Sequence, residues 1–147
     1  MHINHLLPCF LRGQVVAGFG RGGKELGCPT ANIEDSVVEN LSREIPCGVF
    51  YGLARIDGEE VNKMVASIGW NPHYQNKKKT LEVHVLKQYD RDFYGSMMDV
   101  LLVGFIRPMA AFPTIDDLKA AINSDILKAR EEMERIDISS LTHRFFI

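Results

Sequence analysis

The hydrophobic period of this chain changes once, at Arg107-Pro108, and that change limits the possible folds more than any other feature. Before it, apolar residues follow the period of two expected of strands; after it they return every three or four residues. Thr80 to Tyr89 (TLEVHVLKQY) alternates most clearly, with Leu81, Val83 and Val85 on one face and Thr80, Glu82 and His84 on the other. Val49 to Ile56 is rich in aromatic and branched residues, Asp57-Gly58 signals a turn, and Val61 to Ile68 reads as the return strand of a hairpin. Gln14 to Ala17 reads as a short strand, and Met98 to Ile106 is apolar enough for a strand buried on both faces. Beyond the switch, Ile115, Leu118, Ile122, Ile126, Ala129, Met133 and Ile136 form one helical stripe. Thr114 is its N-cap, with Asp116 and Asp117 in the first turn where the helix dipole favours acids.

Five or six strands followed by one helix predict a single domain over residues 1–147: a small antiparallel barrel or curved sheet on which a C-terminal amphipathic helix packs its stripe. A chain of 147 residues is long enough to bury a substantial core. Seventeen Lys and Arg against 19 Asp and Glu give a net charge of −2, which weighs against a general nucleic-acid binder. Any anionic ligand must be held by a local site. Cys9, Cys28 and Cys47 form no C-x-x-C pair, against a disulfide framework or zinc knuckle and for a reducing compartment. Leu6 to Leu11 is too short and too polar-flanked for a signal peptide or membrane span. The expectation is a soluble, cytoplasmic protein, with monomer as the default state.

The most distinctive stretch is GFGRGGKELGCPTAN, Gly18 to Asn32. It begins both G-x-G-x-x-G and G-x-x-x-x-G-K-[ST], yet completes neither nucleotide-binding fold. In both, a helix should follow, but Gly27 and Pro29 come too soon for one of useful length. Glu25 also stands where the metal-binding hydroxyl of a P-loop belongs. What remains is a loop whose glycines, at positions 18, 20, 22 and 23, let backbone N–H groups approach an anion, with Arg21 and Lys24 for charge. Thr30 and Asn32 follow, two residues apart and so on one face of an extended segment. Both carry hard oxygen donors of the kind Mg²⁺ accepts, although such side chains also commonly satisfy local backbone groups.

The Gly18–Asn32 run closely resembles the signature of riboflavin kinases, which transfer phosphate from ATP to riboflavin to give FMN. Ser67-Ile-Gly-Trp-Asn-Pro72, Thr80-Leu-Glu-Val-His84, Asp92-Phe-Tyr-Gly95 and Arg107-Pro108 agree with it in order and spacing. The similarity runs from about residue 10 to about residue 135. It implies a six-stranded antiparallel Greek-key barrel with a C-terminal helix beside the flavin site. It also implies that Gly18, Gly20 and Lys24 bind ATP phosphates, that Thr80 and Tyr94 border the nucleotide, and that Thr30 and Asn32 hold Mg²⁺ (or Mn²⁺ or Zn²⁺). Glu82 would be the catalytic carboxylate, and Arg107, Phe112 and Asp117 would lie by the flavin. The chain departs from the family's pattern between Met109 and Pro113, where relatives can carry charge.

Pattern alone would leave Glu82 a solvated residue of an alternating strand, and Phe112 an ordinary core residue beneath the helix. His84, on the same face as Glu82, reads as structural or as support for a site residue. Lys77, Lys78 and Lys79 read as a solvated loop tip. The expected partners are riboflavin and FMN, ATP and ADP, with neither nucleic acid nor membrane. The alternative is a non-catalytic carrier of flavin or nucleotide built on the same barrel.

Overall fold

The computed structural model describes residues 6–16, 30–41, 44–70, 78–87 and 94–146. Its strands are β1 (Cys9–Val16), β2 (Ala31–Ile33), β3 (Gly48–Ile56), β4 (Val61–Trp70), β5 (Lys79–Val85) and β6 (Met97–Arg107). Its helices are α1 (Asp35–Glu39), α2 (Ile115–Glu134) and α3 (Ile138–Phe145). The strands close into a barrel in the order β1-β2-β5-β4-β3-β6, every described pairing being antiparallel. Strands β3, β4 and β5 form a meander, and β6 returns to lie beside β3, which is the Greek-key arrangement. The short β2 closes the barrel by pairing with Val15 and Val16 of β1 on one side and with Glu82 and Val83 of β5 on the other.

The pairing is less local than a string of hairpins. Beyond β3–β4 and β4–β5, the barrel is closed by β3–β6, β1–β6 and β2–β5, which join distant parts of the chain. The register of β3 on β6 shifts twice, once between Tyr51 and Gly52. A Cβ at Gly52 would collide with the backbone carbonyl of Leu101, so the strands approach here in a way glycine alone permits.

Two apolar clusters follow from the alternation. Phe50, Ile56, Met64, Ile68, Leu81, Val83, Met98, Val100 and Leu102 fill the barrel. Outside it, Leu53 of β3 and Leu101 of β6 meet Met133 of α2 and Phe146 after α3. Strand β6 is therefore buried on both faces over most of its length, as its largely apolar sequence requires. Full burial of each such side chain contributes roughly 1.5–3 kcal/mol.

The helical stripe divides its work along α2. Ala129 and Met133 are buried, while Leu118, Ile122 and Ile126 line a cavity and Ile115 is 64% exposed. The expectation that the whole stripe packs on the sheet is thus corrected, because the first half of α2 stands off the barrel across that cavity. Ile136 lies beyond the end of α2 and packs on the outer cluster. The N-cap is as expected, with Thr114 Oγ1 accepting from the Asp117 backbone N–H at 3.1 Å.

The single-helix expectation also needs correcting. The C-terminal segment forms α3, capped by Asp137, whose carboxylate accepts from the Ser140 backbone N–H at 3.0 Å. It is fixed to the barrel by a polar cluster. Asp99 of β6 is paired across the sheet with Arg12 of β1 and Arg55 of β3, and accepts hydrogen bonds from both guanidinium groups. Arg55 also donates to the Phe146 carbonyl and lies 5.4 Å from the centroid of its ring. Burial pushes the Asp99 carboxyl upward, but the hydrogen bonds and charge of Arg12 and Arg55 outweigh it and hold the group below its ordinary value.

Candidate active site

The outer face of β5 begins the site. Leu81, Val83 and Val85 point into the barrel, so Thr80, Glu82 and His84 must point out of it. Their neighbours are set by register. Glu82 lies opposite Asn32 of β2 on one side and Ser67 of β4 on the other. His84 lies opposite Val65, and Thr80 opposite Gly69. Directly paired residues share a face with Cβ atoms about 4.5–5.5 Å apart, so Asn32, Glu82 and Ser67 form one short polar row. Thr30, immediately before β2, is exposed at the same side.

Facing this wall, across a cavity of about 520 Å³, stand the end of β6, the segment from Arg107 to Thr114, and the first half of α2. Thr30, Ser67, Gly69, Thr80, Glu82 and His84 line the polar side. Met109, Ala110, Phe112, Pro113, Leu118, Ile122 and Ile126 line the apolar side. The volume falls in the range that holds one small organic ligand, and the combination of a large apolar wall with a few convergent polar groups is typical of such sites.

Arg107 and His84 are two of the ionisable groups in the lining. The Arg107 guanidinium donates through Nε and Nη2 to the two carboxylate oxygens of Asp125, each at 2.8 Å, and through Nη1 to the Pro108 carbonyl at 3.2 Å. It lies over the Phe112 ring, 5.5 Å from the centroid. His84 has its imidazole pKa lowered by burial first and by the charge of Arg130 second, both of which disfavour the protonated ring.

The structure thus brings together Thr30, Thr80, Glu82, Arg107 and Phe112, with Asn32 beside Glu82 in the sheet. Asp117 is exposed and is not among the cavity-lining residues; its backbone N–H serves the helix cap. Tyr94 is 60% exposed and likewise outside that lining. Gly18, Gly20 and Lys24 lie outside the described residues. Of the lysine run, Lys79 belongs to β5, donates to the Ile45 carbonyl at 2.9 Å and sits over Trp70, while Lys78 pairs with Glu39. The loop-tip reading fails for Lys79 because its strand begins there.

Sequence reasoning missed Asp125; it read His84 as structural or as support for a site residue, and the side chain lines the cavity. For Asp125 a signal existed. It follows Ile122 by three residues and precedes Ala129 by four, so an acid stands within the apolar stripe itself. Such a position demands a partner.

Among the described residues, no three His, Cys, Asp or Glu side chains converge to hold a metal ion. The donors at hand beside the cavity are instead the Thr30 hydroxyl, the Asn32 amide and the Glu82 carboxylate, all oxygen ligands suited to a hard cation. Among the described residues, no helix is long and apolar enough to cross a membrane.

A family model described as riboflavin kinase matches residues 6–133. The human riboflavin kinase is 48% identical over 128 residues, covering 87% of this chain and 83% of that protein. The crystal structure of riboflavin kinase from Trypanosoma brucei aligns with a TM-score of 0.71 and 30% identity, over 91% of this chain and 85% of that one. A macrolide-efflux protein from Streptococcus pneumoniae aligns with a TM-score of 0.70 and 28% identity, over 84% of this chain but 38% of that one. A barrel shared by proteins of such different names does not by itself assign chemistry, which resides in the residues of the site.

Proposed function

The chain belongs to the riboflavin kinase family, and from that premise we propose that its cavity joins riboflavin to the γ-phosphoryl group of ATP, giving FMN and ADP. The observation that carries this reading is the placement of Glu82 in the sheet, between Asn32 and Ser67 and facing the cavity whose opposite wall is apolar.

The two sides suit the two halves of the reaction. The flavin ring system is flat and largely apolar, and the wall from Met109 to Ile126 offers it contact area, with Phe112 beneath Arg107 at one end. The ribityl chain then runs toward Glu82. The terminal 5′-hydroxyl gives its proton to the Glu82 carboxylate as its oxygen forms the new bond to the γ-phosphorus. The bond from that phosphorus to the bridging oxygen breaks, and ADP leaves with the electron pair. A positioned base of this kind contributes typically about 10²–10⁴-fold, and a strand holds it more rigidly than a loop would.

Phosphoryl transfer otherwise depends on positioning and charge neutralisation. Thr30 and Asn32 are the residues that would hold a divalent cation, with phosphate oxygens and water completing its shell. Bound there, the cation would offset negative charge on the transferring group. An all-oxygen set favours Mg²⁺ or Mn²⁺ over Zn²⁺, which prefers nitrogen and sulfur. Gly18, Gly20 and Lys24 are assigned to the phosphates by the sequence resemblance, and Thr80 and Tyr94 to the nucleotide border.

The test is product identification. Riboflavin, ATP and MgCl₂ incubated with the protein should yield FMN and ADP in equal amounts by chromatography. Riboflavin binding without ADP formation under Mg²⁺, Mn²⁺ or Zn²⁺ would sink the kinase reading and leave a carrier.

A further inference from the structure

Asp125 is 5% exposed, on a helix face otherwise given to Leu118, Ile122, Ile126 and Ala129. A carboxylate placed there is costly unless both oxygens are satisfied. Arg107 satisfies both, in the forked, two-bond geometry that a guanidinium alone supplies. The pair spans the cavity's far wall, since Arg107 ends β6 and Asp125 lies in the middle of α2. A third bond, to the Pro108 carbonyl, and the Phe112 ring under the guanidinium tie the intervening segment to the same point. Of the five N–H donors of Arg107, these bonds use three.

We propose that Asp125 is a positioning residue for the acceptor: it fixes the plane of the Arg107 guanidinium against Phe112, and so fixes both the width of the apolar side and the donors that Arg107 offers to riboflavin. The inference rests on the kinase reading, in which this side of the cavity receives the flavin. Asp125 itself need not touch the substrate. Lysine at 107 would retain the charge but lose the fork, and asparagine at 125 would retain the shape but lose one acceptor and the charge. Each change releases the guanidinium plane or its substitute without touching the Glu82 side of the cavity.

A double-mutant cycle tests this with wild type, Asp125→Asn, Arg107→Lys and the double variant, each assayed for FMN formation with riboflavin and ATP varied in turn. Each single change should raise KM for riboflavin by about tenfold, with KM for ATP held within about twofold, and the double variant should be no worse than either single one. A merely structural role would instead lower activity without distinguishing the two substrates. Equal effects on both KM values, additive effects in the double variant, or a riboflavin KM unchanged in Asp125→Asn would overturn the proposal. Should Asp125→Asn fail to fold, Asp125→Ala, which suits a helix interior, replaces it in the cycle, and a riboflavin KM unchanged in that variant would overturn the proposal. Absence of FMN from wild type would instead bring down the kinase reading, a result distinct from a normal wild type with a normal Asp125→Asn.

Discussion

Asn32 and Glu82 are direct cross-strand partners on β2 and β5, and both face outward because Ala31, Ile33, Leu81 and Val83 beside them fill the barrel. The Asn32 side chain is thereby held on the same face as, and beside, the carboxylate proposed as base. A metal held by Asn32 would therefore sit within reach of the reacting oxygen.

Replacing Asn32 by alanine should weaken the cation site and leave the barrel intact, since Asn32 is on the outside. The expected outcome is a rise of about tenfold in the MgCl₂ concentration giving half-maximal activity, in line with one lost ligand-side interaction of roughly 1.4 kcal/mol. A titration of activity against MgCl₂ checks it. An unchanged midpoint would remove Asn32 from the metal site.

Asp99→Ala should act on stability, because Asp99 lies in the cluster that fastens α3 and not among the cavity-lining residues. Its loss leaves Arg55, a mostly buried guanidinium, without its carboxylate. Breaking such a pair costs on the order of 3 kcal/mol, discounted from the full range because Arg12, the other partner, is largely exposed. Urea unfolding of the two proteins measures the difference, and kcat at low temperature should change little. Wild type should also lose stability in acid, as pH falls from the ordinary Asp99 value of 3.8 through its lowered folded value. The Asp99→Ala variant should lack that part of the acid loss.

His84 gives a second pH dependence, of known sign. Its imidazole pKa is below the ordinary 6.5 in the folded protein, so between the two values the unfolded chain binds more protons. Stability from this group is fully present above the unfolded value and is lost as pH falls toward the folded one. Melting temperatures measured from about pH 8 to pH 5 should fall on the acid side, and His84→Gln should flatten that fall. An equal slope in both proteins would place the titration elsewhere.

How far these features could be read from the sequence differs by element, for physical reasons. Strand β5 was legible because one face fills the barrel and the other faces the site, so Leu81 to Val85 alternate without interruption. Strand β2 was not, since Ala31–Ile33 has three residues and owes its conformation to pairing with β1 and β5. Strand β1 begins at Cys9, five residues before its sequence signal at Gln14, because its early part is held by β6. Helix α3 is short and depends on packing around Phe10 and Phe146, although Asp137 ahead of Ser140 was a readable cap. Thr30, Glu82 and Arg107 were brought to one site by resemblance and now share one cavity. Asp125 was missed because stripe counting looks for apolar residues and passes over an acid lodged among them.

Thr114→Ala should remove the side-chain acceptor for the Asp117 N–H at the start of α2. A lost cap of this kind costs about 1 kcal/mol. Because that first turn also borders the cavity, the riboflavin KM should rise with the loss of stability, whereas the ATP KM should not. Thermal melts and paired KM measurements check the two parts separately.

The central claim is that Glu82 takes the proton of the acceptor hydroxyl, and Glu82→Gln tests it most directly. The variant keeps the size and hydrogen-bonding reach of the side chain while removing its capacity as a base. With the circular dichroism and melting temperature of wild type retained, its kcat for FMN formation should fall by at least about 10²-fold. A folded Glu82→Gln protein that makes FMN at close to the wild-type rate would contradict the account.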